Sequence, residues 1–221
     1  TNFSDSSLEI IKELNASSDP AEREELIGEL SINIEKISGH GKRADNIIKS
    51  MLRHSHGNTE EKRPTSINRL CDEFLMLAYH SIRASHPDFN CTIEKKFQDD
   101  LPKVNLMAQE VTRVLLNLFT NAFHALKERR EKESGFSAVI TVTTGLKNKF
   151  VEIKIHDNGT GIPPEIRNKI FQPFFTTKKS GEGTGLGLSI SYDIIKAHGG
   201  ELNLESRVGE FTEFSILLPL A

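Results

Sequence analysis

The first quarter of the chain carries apolar residues at helical spacing. A short helix is predicted within residues 1–18, where the apolar positions are Leu8, Ile10, Ile11 and Leu14. A polar turn follows at residues 17–20, and Asp19 with Pro20 forms a typical cap and first-turn pair. A second, long helix is therefore predicted over about residues 21–54.

This second helix has an apolar seam that steps by four and three residues. The seam consists of Leu30, Ile34, Ile37, Ala44, Ile48 and Met51, with Gly41 in the gap of the series. A single helix cannot bury such a seam alone, so the pattern favours coiled-coil-like packing. We expect a helical hairpin that pairs with a second copy in a dimeric four-helix bundle. A monomeric hairpin is the alternative.

A polar, charged stretch that contains a proline runs from Gly57 to Pro64 and is typical of an interdomain linker. We place the hairpin at residues 1–57, the linker at 58–64 and a second domain at 65–221.

The second domain mixes helical and strand patterns. The pattern predicts helices from Thr65 through Ile82, over 106–130 and over 188–198, an edge strand over 91–98, and strands near 138–144, 150–156, 201–206 and 211–217. Strands with helices between them predict an α/β sandwich, with helices on one face of a mixed sheet. The whole chain is therefore predicted to be α+β.

Composition narrows the functional classes. The 221 residues are 37% hydrophobic and 27% charged with a net charge of −3, which suits a globular protein and gives no electrostatic footprint for nucleic acid. No apolar run approaches the roughly 20 residues of a membrane span, so we expect no membrane contact and a cytoplasmic location. Two cysteines, Cys71 and Cys91, suit a reducing compartment.

Two asparagines in the predicted helix 106–130 form the first candidate for chemistry. Asn117 and Asn121 are four residues apart and share one helix face. Amide oxygens suit a hard cation that keeps several waters and is shared with phosphates, which describes Mg²⁺. On their own, the two residues could equally be polar residues on a solvated face.

The predicted strand 150–156 ends at Asp157, and a loop with Gly159 and Gly161 follows. A carboxylate at a strand end can accept hydrogen bonds from an adenine amino group, and glycines allow the backbone to approach a flat base. A plain Asp-Asn-Gly turn is the alternative.

A glycine-rich loop, residues 180–187, leads into the predicted helix 188–198. Unpaired N–H groups and the positive dipole end of such a helix start hold phosphate. The glycine spacing fits neither the Rossmann fingerprint nor a Walker A loop. Three phenylalanines before the loop, Phe171, Phe174 and Phe175, form an aromatic cluster whose simplest role is core packing.

Together, in this order, the four segments resemble the N, G1, F and G2 boxes of sensor histidine kinases, within the wider histidine-kinase, gyrase and chaperone (GHKL) ATPase superfamily. The segments are residues 117–121, 157–161, 171–175 and 183–187, and the resemblance covers roughly residues 65–221.

The resemblance implies Mg-ATP as the bound nucleotide. It assigns Mg²⁺ coordination to Asn121 with support from Asn117, adenine recognition to Asp157 with help from Thr212, and a mobile lid over the phosphates to Lys178 and residues 183–188. Asn117, Asn121 and Lys178 are the implied catalytic residues. The ATP site that it implies consists of Asn117, Asn121, Asp157, Gly159, Gly161, Ile162, Phe171, Thr177, Lys178, Gly183, Thr184, Gly185, Leu186, Gly187, Leu188 and Thr212. The aromatic cluster would also anchor the lid and meet the bundle during catalysis.

One position separates the branches of this superfamily. Hydrolases that resemble gyrase have a glutamate general base where this chain has Asn117. An amide cannot take a proton from water, so the sequence favours phosphotransfer over hydrolysis. A superfamily ATPase and a non-catalytic ATP-binding regulatory module remain the alternatives.

The family's phosphoacceptor histidine normally precedes an acidic residue on the first bundle helix. None of the eight histidines has that setting, including His40, His54 and His56. Residues 1–4 resemble the stretch after that motif, and residues 40–55 resemble the second bundle helix. We therefore expect the acceptor upstream of Thr1, so that this fragment cannot autophosphorylate; His40 as acceptor is the alternative.

The sequence thus predicts an ATP-dependent protein-histidine kinase of a two-component system. Its expected partners are a second copy through the hairpin, an upstream sensor domain and a response-regulator receiver domain, to whose aspartate the phosphoryl group would pass. No nucleic-acid partner is expected.

Overall fold

A computed structural model describes residues 3–55, 61–178 and 183–220, with the side chains of 42–55 outside the description. The chain divides into two compact units. The first comprises Thr1–Asn58 with Thr176–Thr184, and the second comprises Thr59–Phe175 with Gly185–Ala221.

The first unit contains an antiparallel helical hairpin, α1 (Phe3–Ala16) and α2 (Pro20–Ser55). The Oδ1 of Asp19 accepts the N–H of Ala21 at 3.0 Å, so Asp19 caps α2 as predicted. Across the hairpin, Asn33 Nδ2 donates to Ser6 Oγ at 3.4 Å.

One predicted candidate acceptor lies on the described part of α2. The exposed ring of His40 stacks on the ring of Phe3, with centroids 5.9 Å apart. His54 and His56 fall outside the residues whose side chains are described.

The second unit contains seven strands and four helices within the described residues. In chain order they are β1 (Arg63–Thr65), α3 (Ile67–Ser85), β2 (Thr92–Phe97), β3 (Val104–Leu106), α4 (Ala108–Lys132), β4 (Val139–Lys147), β5 (Phe150–Asp157), α5 (Pro164–Arg167), α6 (Gly187–Ala197), β6 (Glu201–Arg207) and β7 (Phe211–Pro219).

The main sheet has the strand order β2-β4-β5-β7-β6. β2 runs parallel to β4, and the other neighbouring pairs are antiparallel. The predictions of a mixed sheet and of an edge strand at 91–98 are therefore confirmed. The predicted α+β class, a helical part followed by an α/β sandwich, is confirmed as well.

Strict alternation of burial gives the sheet one face that packs on the helices. Along β5 the buried residues are Val151, Ile153, Ile155 and Asp157, and along β7 they are Thr212, Phe214, Ile216 and Leu218. α4 supplies the opposite side of the core with fully buried Leu115, Leu118 and Phe119. Asp157 and Thr212 are therefore polar residues at the end of an otherwise apolar face.

Helices α4 and α6 are tied together at His198, which is buried just after α6. Its Nε2 accepts the N–H of Met107, the residue before α4, at 3.1 Å. Its Nδ1 lies 2.8 Å from the carbonyl oxygen of Ile194. Because a carbonyl only accepts, the proton of this neutral imidazole resides on Nδ1.

Three short elements were not predicted. β1 and β3 form a two-stranded antiparallel sheet in which Arg63 pairs with Leu106 and Pro64 with Asn105. Two residues assigned to the linker, Arg63 and Pro64, thus belong to a strand. Leu106 also belongs to a strand, although the sequence pattern assigned it to the helix that follows. The third unpredicted element is the single-turn helix α5.

In the described part of the chain, no helix has the length and apolar character to cross a membrane.

Candidate nucleotide-binding site

Asp157 is the chemical centre of the site. It is the last residue of β5 and only 2% exposed, and its Oδ1 accepts the N–H of Gly159 at 2.9 Å. Burial raises the pKa of the Asp157 carboxyl from its ordinary 3.8 to about 7, and the Gly159 hydrogen bond opposes part of that rise. A carboxylate so poorly solvated gains strongly from any donor that a ligand brings to it.

The glycines after Asp157 are required by the protein's own packing. A Cβ on Gly159 would lie 2.6 Å from Asp157 Oδ1 and 2.8 Å from Ala125 on α4. Gly161 has a φ of +69°, and a Cβ there would lie 2.2 Å from the carbonyl oxygen of Arg207. The sequence interpretation explained both glycines by close approach to a base, whereas these contacts explain them without a ligand.

Three neighbouring strands place one buried polar side chain each at the same level of the sheet. Asp157 on β5 is opposite Thr212 on β7, and Thr212 is opposite Ser206 on β6. Thr212 is 4% exposed and Ser206 is 5% exposed. Ser206 Oγ lies 3.2 Å from Thr212 Oγ1 and accepts the N–H of Ile162 at 2.8 Å, so the predicted Ile162 lies beside this row.

Arg129, near the C-terminal end of α4, holds the loop after Asp157. Its Nη1 donates to the carbonyl oxygens of Asn158 at 2.9 Å, Gly159 at 3.4 Å and Glu210 at 3.4 Å. The side chain of Asn158 then ties the loop to β4, since its Oδ1 accepts the N–H of Val139 at 2.8 Å. The loop is thus fixed from both sides.

Asn117 contacts the start of α6. Its Nδ2 donates to Ser191 Oγ at 3.0 Å, and Ser191 Oγ donates to the Gly187 carbonyl at 2.8 Å. A Cβ on Gly187 would lie 2.2 Å from Asn117 Oδ1, so only glycine allows this approach. Because its amide is bonded to Ser191, Asn117 positions the glycine-rich helix start against α4.

One face of α4 carries Asn117, Asn121 and Ala125 at intervals of four residues, and it contacts both the start of α6 and the loop after β5. Asn117 contacts the start of α6, and Ala125 contacts Gly159 in the loop after β5. Asn121 is half-buried and lies between them on this face. With a rise of about 1.5 Å per residue, the two contacts are roughly 12 Å apart along the helix.

The start of α6 is suited to an anion. Its N-cap residue is Leu186, whose apolar side chain makes no capping hydrogen bond. The first-turn N–H groups, from Gly187 and Leu188 onward, are therefore the type of donor that binds phosphate. Gly185, just before, has a φ of +68°.

The three phenylalanines of the predicted aromatic cluster differ in burial. Phe171 is half-buried and packs on Tyr192 with ring centroids 5.6 Å apart. Phe175 is half-buried against the core, whereas Phe174 is 58% exposed. Core packing therefore accounts for two of the three rings.

Four predicted site residues, Thr177, Lys178, Gly183 and Thr184, belong to the first unit. Within that unit the N–H of Lys178 donates to Thr176 Oγ1 at 3.2 Å. The other predicted residues belong to the second unit: Asn117, Asn121, Asp157, Gly159, Gly161, Ile162, Phe171, Gly185, Leu186, Gly187, Leu188 and Thr212.

Sequence reasoning missed Ser191, Ser206, Arg129 and Asn158. The two serines lie at buried positions of an apolar helix face and an alternating strand, which is a signal in principle. The other two act through backbone carbonyls and amides, for which sequence carries no signal.

Fold and geometry define a class: an α/β sandwich in which one helix, α4, contacts both the loop after a buried strand-end carboxylate and a glycine-rich helix start. A family model described as "Histidine kinase-, DNA gyrase B-, and HSP90-like ATPase" matches residues 107–221. The chain belongs to this family, in its sensor histidine kinase branch.

Curated relatives support this placement. Sensor histidine kinase ZraS of Escherichia coli O157:H7 is 35% identical over 161 residues, which is 72% of this chain and 33% of that protein. The signal transduction histidine-protein kinase AtoS of Escherichia coli K12 is 32% identical over 92% of this chain and 30% of that protein. The chain spans about a third of the length of these relatives.

Solved structures agree in fold. The catalytic domain of histidine kinase ThkA is 32% identical with a TM-score of 0.56, covering 72% of this chain and 95% of that chain. Full-length ShkA in complex with AMPPNP has a TM-score of 0.64 and covers 99% of this chain and 45% of that chain; at 21% identity it supports the fold alone.

Proposed function

We propose that this chain binds Mg-ATP in its second unit and transfers the γ-phosphoryl group to a histidine of a helical bundle, for relay to a response-regulator aspartate. The observation that carries the proposal is the face of α4 with Asn117, Asn121 and Ala125. It joins the loop after Asp157 to the start of α6, so one nucleotide can meet a base-reading carboxylate at one end and phosphate-binding N–H groups at the other.

At the base end, ionised Asp157 would accept a hydrogen bond from the exocyclic amine of adenine. Thr212, its cross-strand neighbour, would assist. Ionisation of a buried carboxyl is costly, so a further donor from the adenine amine would offset part of the penalty that burial imposes on Asp157.

At the phosphate end, the described residues fit a magnesium site that is completed by the nucleotide. No cluster of three or more acidic, histidine or cysteine side chains that could hold a metal occurs in the described residues, so a cation would rely on the Asn121 amide, waters and phosphate oxygens. Magnesium, when bound, would neutralise phosphate charge. The α6 N–H groups would hold phosphate oxygens, and Thr177, Lys178, Gly183 and Thr184 would complete the lid.

The residues around the phosphates support transfer to a protein nucleophile. Asn117 is an amide and is bonded to Ser191, so it cannot activate water as a base. Catalysis would consist of positioning and charge stabilisation while the bond from the γ-phosphorus to its bridging oxygen breaks and a phosphorus–nitrogen bond forms, with ADP as leaving group.

The hairpin would supply the dimer interface of the bundle. Four apolar side chains in the described part of the hairpin are half exposed or more: Leu8 at 59%, Ile27 at 50%, Ile32 at 52% and Ile34 at 54%. Exposed apolar residues on a hairpin favour a partner helix surface, here a second copy of the chain. An upstream sensor domain and a receiver domain would be the further partners.

The acceptor histidine would lie outside the eight histidines of this chain, because the one histidine that precedes an acidic residue, His156, lies on strand β5 and not on a bundle helix. His40 is exposed and stacks on Phe3, and it remains the alternative within the chain. We propose residues 1–57, 58–64 and 65–221 as hairpin, linker and catalytic domain.

Label transfer from ATP that carries a radioactive γ-phosphate tests the proposal. We expect acid-labile, base-stable label on a version of the protein that extends further upstream, and none on this chain. Asn121→Ala should abolish both magnesium-dependent ATP binding and labelling. Asn203→Ala, which changes an exposed asparagine on β6, is the matched control and should leave both intact.

Three outcomes contradict parts of the proposal. Label on this chain that is lost in His40→Gln moves the acceptor to α2. Steady phosphate release without label indicates an ATPase. ATP binding with neither label nor turnover in the extended protein indicates a regulatory module.

A further inference from the structure

The hydrogen bonds of Ser206 determine the direction of a neighbouring hydroxyl. Ser206 Oγ lies 2.8 Å from the carbonyl oxygen of Phe211 and 2.8 Å from the amide nitrogen of Ile162. A carbonyl only accepts and an amide N–H only donates. Ser206 Oγ therefore donates its one hydrogen to the Phe211 carbonyl, and one of its two lone pairs accepts the N–H of Ile162.

The third contact of Ser206 then has only one possible direction. Ser206 Oγ has a single lone pair left, and Thr212 Oγ1 lies 3.2 Å away. Thr212 must be the donor in this hydrogen bond, because Ser206 has no second hydrogen to give. The hydrogen of Thr212 is thus directed at Ser206, and Thr212 can offer only lone pairs to other groups.

This direction matters because Thr212 is the cross-strand neighbour of Asp157, and both side chains project from the same face of the sheet. An ionised carboxylate also offers only lone pairs. Where Asp157 is ionised, these two side chains therefore present acceptors alone, and a ligand group that faces them must bring a donor. An amino group at C6 of a purine does so, whereas an oxo group at C6 places a further acceptor against acceptors.

We propose that Ser206 is a positioning residue for purine selectivity, which holds the Thr212 hydroxyl as an acceptor and so favours a 6-amino purine nucleotide over a 6-oxo purine nucleotide. The proposal rests on the proposed nucleotide site and deepens it. Without Ser206, the Thr212 hydroxyl is free to rotate and to donate to a 6-oxo group, directly or through water. A site that has lost its acceptor-only character discriminates less well between the two bases.

The test compares binding of ADP and inosine diphosphate, which differ at the C6 substituent and the N1 proton, by calorimetry on the whole chain. We expect the wild type to prefer ADP, and Ser206→Ala to reduce the ratio of the two affinities by about tenfold, the effect of one well-placed polar contact. Thr212→Val removes the same lone pairs and should reduce the ratio comparably. Ser206→Ala added to Thr212→Val should reduce it no further.

Ser215→Ala, a half-buried serine on the other face of β7, is the matched control and should leave the ratio unchanged. If Ser206→Ala weakens both nucleotides by the same factor, Ser206 merely supports the loop at Ile162 and the inference is wrong. If Ser206→Ala does not fold, an unchanged ratio in Thr212→Val has the same consequence. A wild type that binds neither nucleotide overturns the proposed function itself, whereas ADP binding with an unchanged ratio overturns only the role of Ser206.

Discussion

Replacement of Asp157 by asparagine should stabilise the nucleotide-free protein, and only above acidic pH. The pKa of this carboxyl is about 7 in the folded protein against an ordinary 3.8, because the side chain is buried. Between these values the folded protein holds a proton that the unfolded chain has lost. Stability from this group is therefore fully present below about pH 4 and is lost as the pH rises to about 7.

The size of the effect follows from the shift. Each pKa unit corresponds to about 1.4 kcal/mol, so the ionised carboxylate costs the folded state about 4 kcal/mol at about pH 8. Asparagine has the same shape, keeps an oxygen for the Gly159 N–H and carries no charge. We expect Asp157→Asn to match the wild type near pH 4 and to exceed its free energy of unfolding by several kcal/mol near pH 8.

Urea unfolding, monitored by tyrosine fluorescence, measures the difference in unfolding free energy between the two proteins for the second unit alone. The chain has two tyrosines and no tryptophan, and both Tyr79 and Tyr192 lie in the second unit. Equal stability of the two proteins at all pH values, or a wild type that is more stable near pH 8, would refute the assignment of a desolvated carboxylate. The same substitution should abolish discrimination for ADP, because the charged acceptor is gone.

Two further predictions concern the loop after β5. Gly161→Ala should cost several kcal/mol of unfolding free energy, because it adds a 2.2 Å contact with the carbonyl of Arg207 to a φ of +69°. Gly209→Ala, at a φ of +72° with nothing within 4 Å of its Cβ, should cost only about 1–2 kcal/mol; equal costs would show that the contact is unimportant. Arg129→Met removes the donor to three carbonyls and should cost about 1–3 kcal/mol and weaken ADP binding, measured by tyrosine fluorescence and calorimetry. Lys127→Met, which removes a surface ion pair, should change each by less than about 0.5 kcal/mol, and a comparable loss in both variants would contradict the role of Arg129.

The spacing of apolar residues in the sequence was sufficient to predict the long helices and strands. The alternation from residue 150 to 156 and the helical spacing around Asn117 predicted β5 and α4 to within a few residues. β1 and β3 have three residues each, which is too short for an alternating pattern to be recognised, and Pro64 made β1 resemble a linker. Edge positions tolerate such a proline, and pairing with residues some 40 positions away leaves no local trace.

Some residues of the candidate site could likewise be predicted from the sequence, and others could not. Asp157 stands out in the sequence because a charged residue ends an apolar strand, and the glycines after it mark a tight loop at that point. The function of Ser206 depends on a hydrogen-bond inventory that involves Phe211 and Ile162, which are five and 44 residues away. Only the strand register brings these groups together, so tertiary structure is needed to find them.

Two hydrogen bonds fix helix α6 relative to α4. His198, just after α6, accepts the Met107 N–H, and Ser191, about one turn into α6, accepts a hydrogen bond from Asn117 Nδ2. A slide or rotation of α6 along α4 would break at least one of these bonds. Gly185, the residue before the cap Leu186, has a φ of +68° and packs against the backbone of Phe174, so only glycine fits at this position. The start of α6 is therefore held from two sides, by Asn117 on α4 and by the backbone of Phe174.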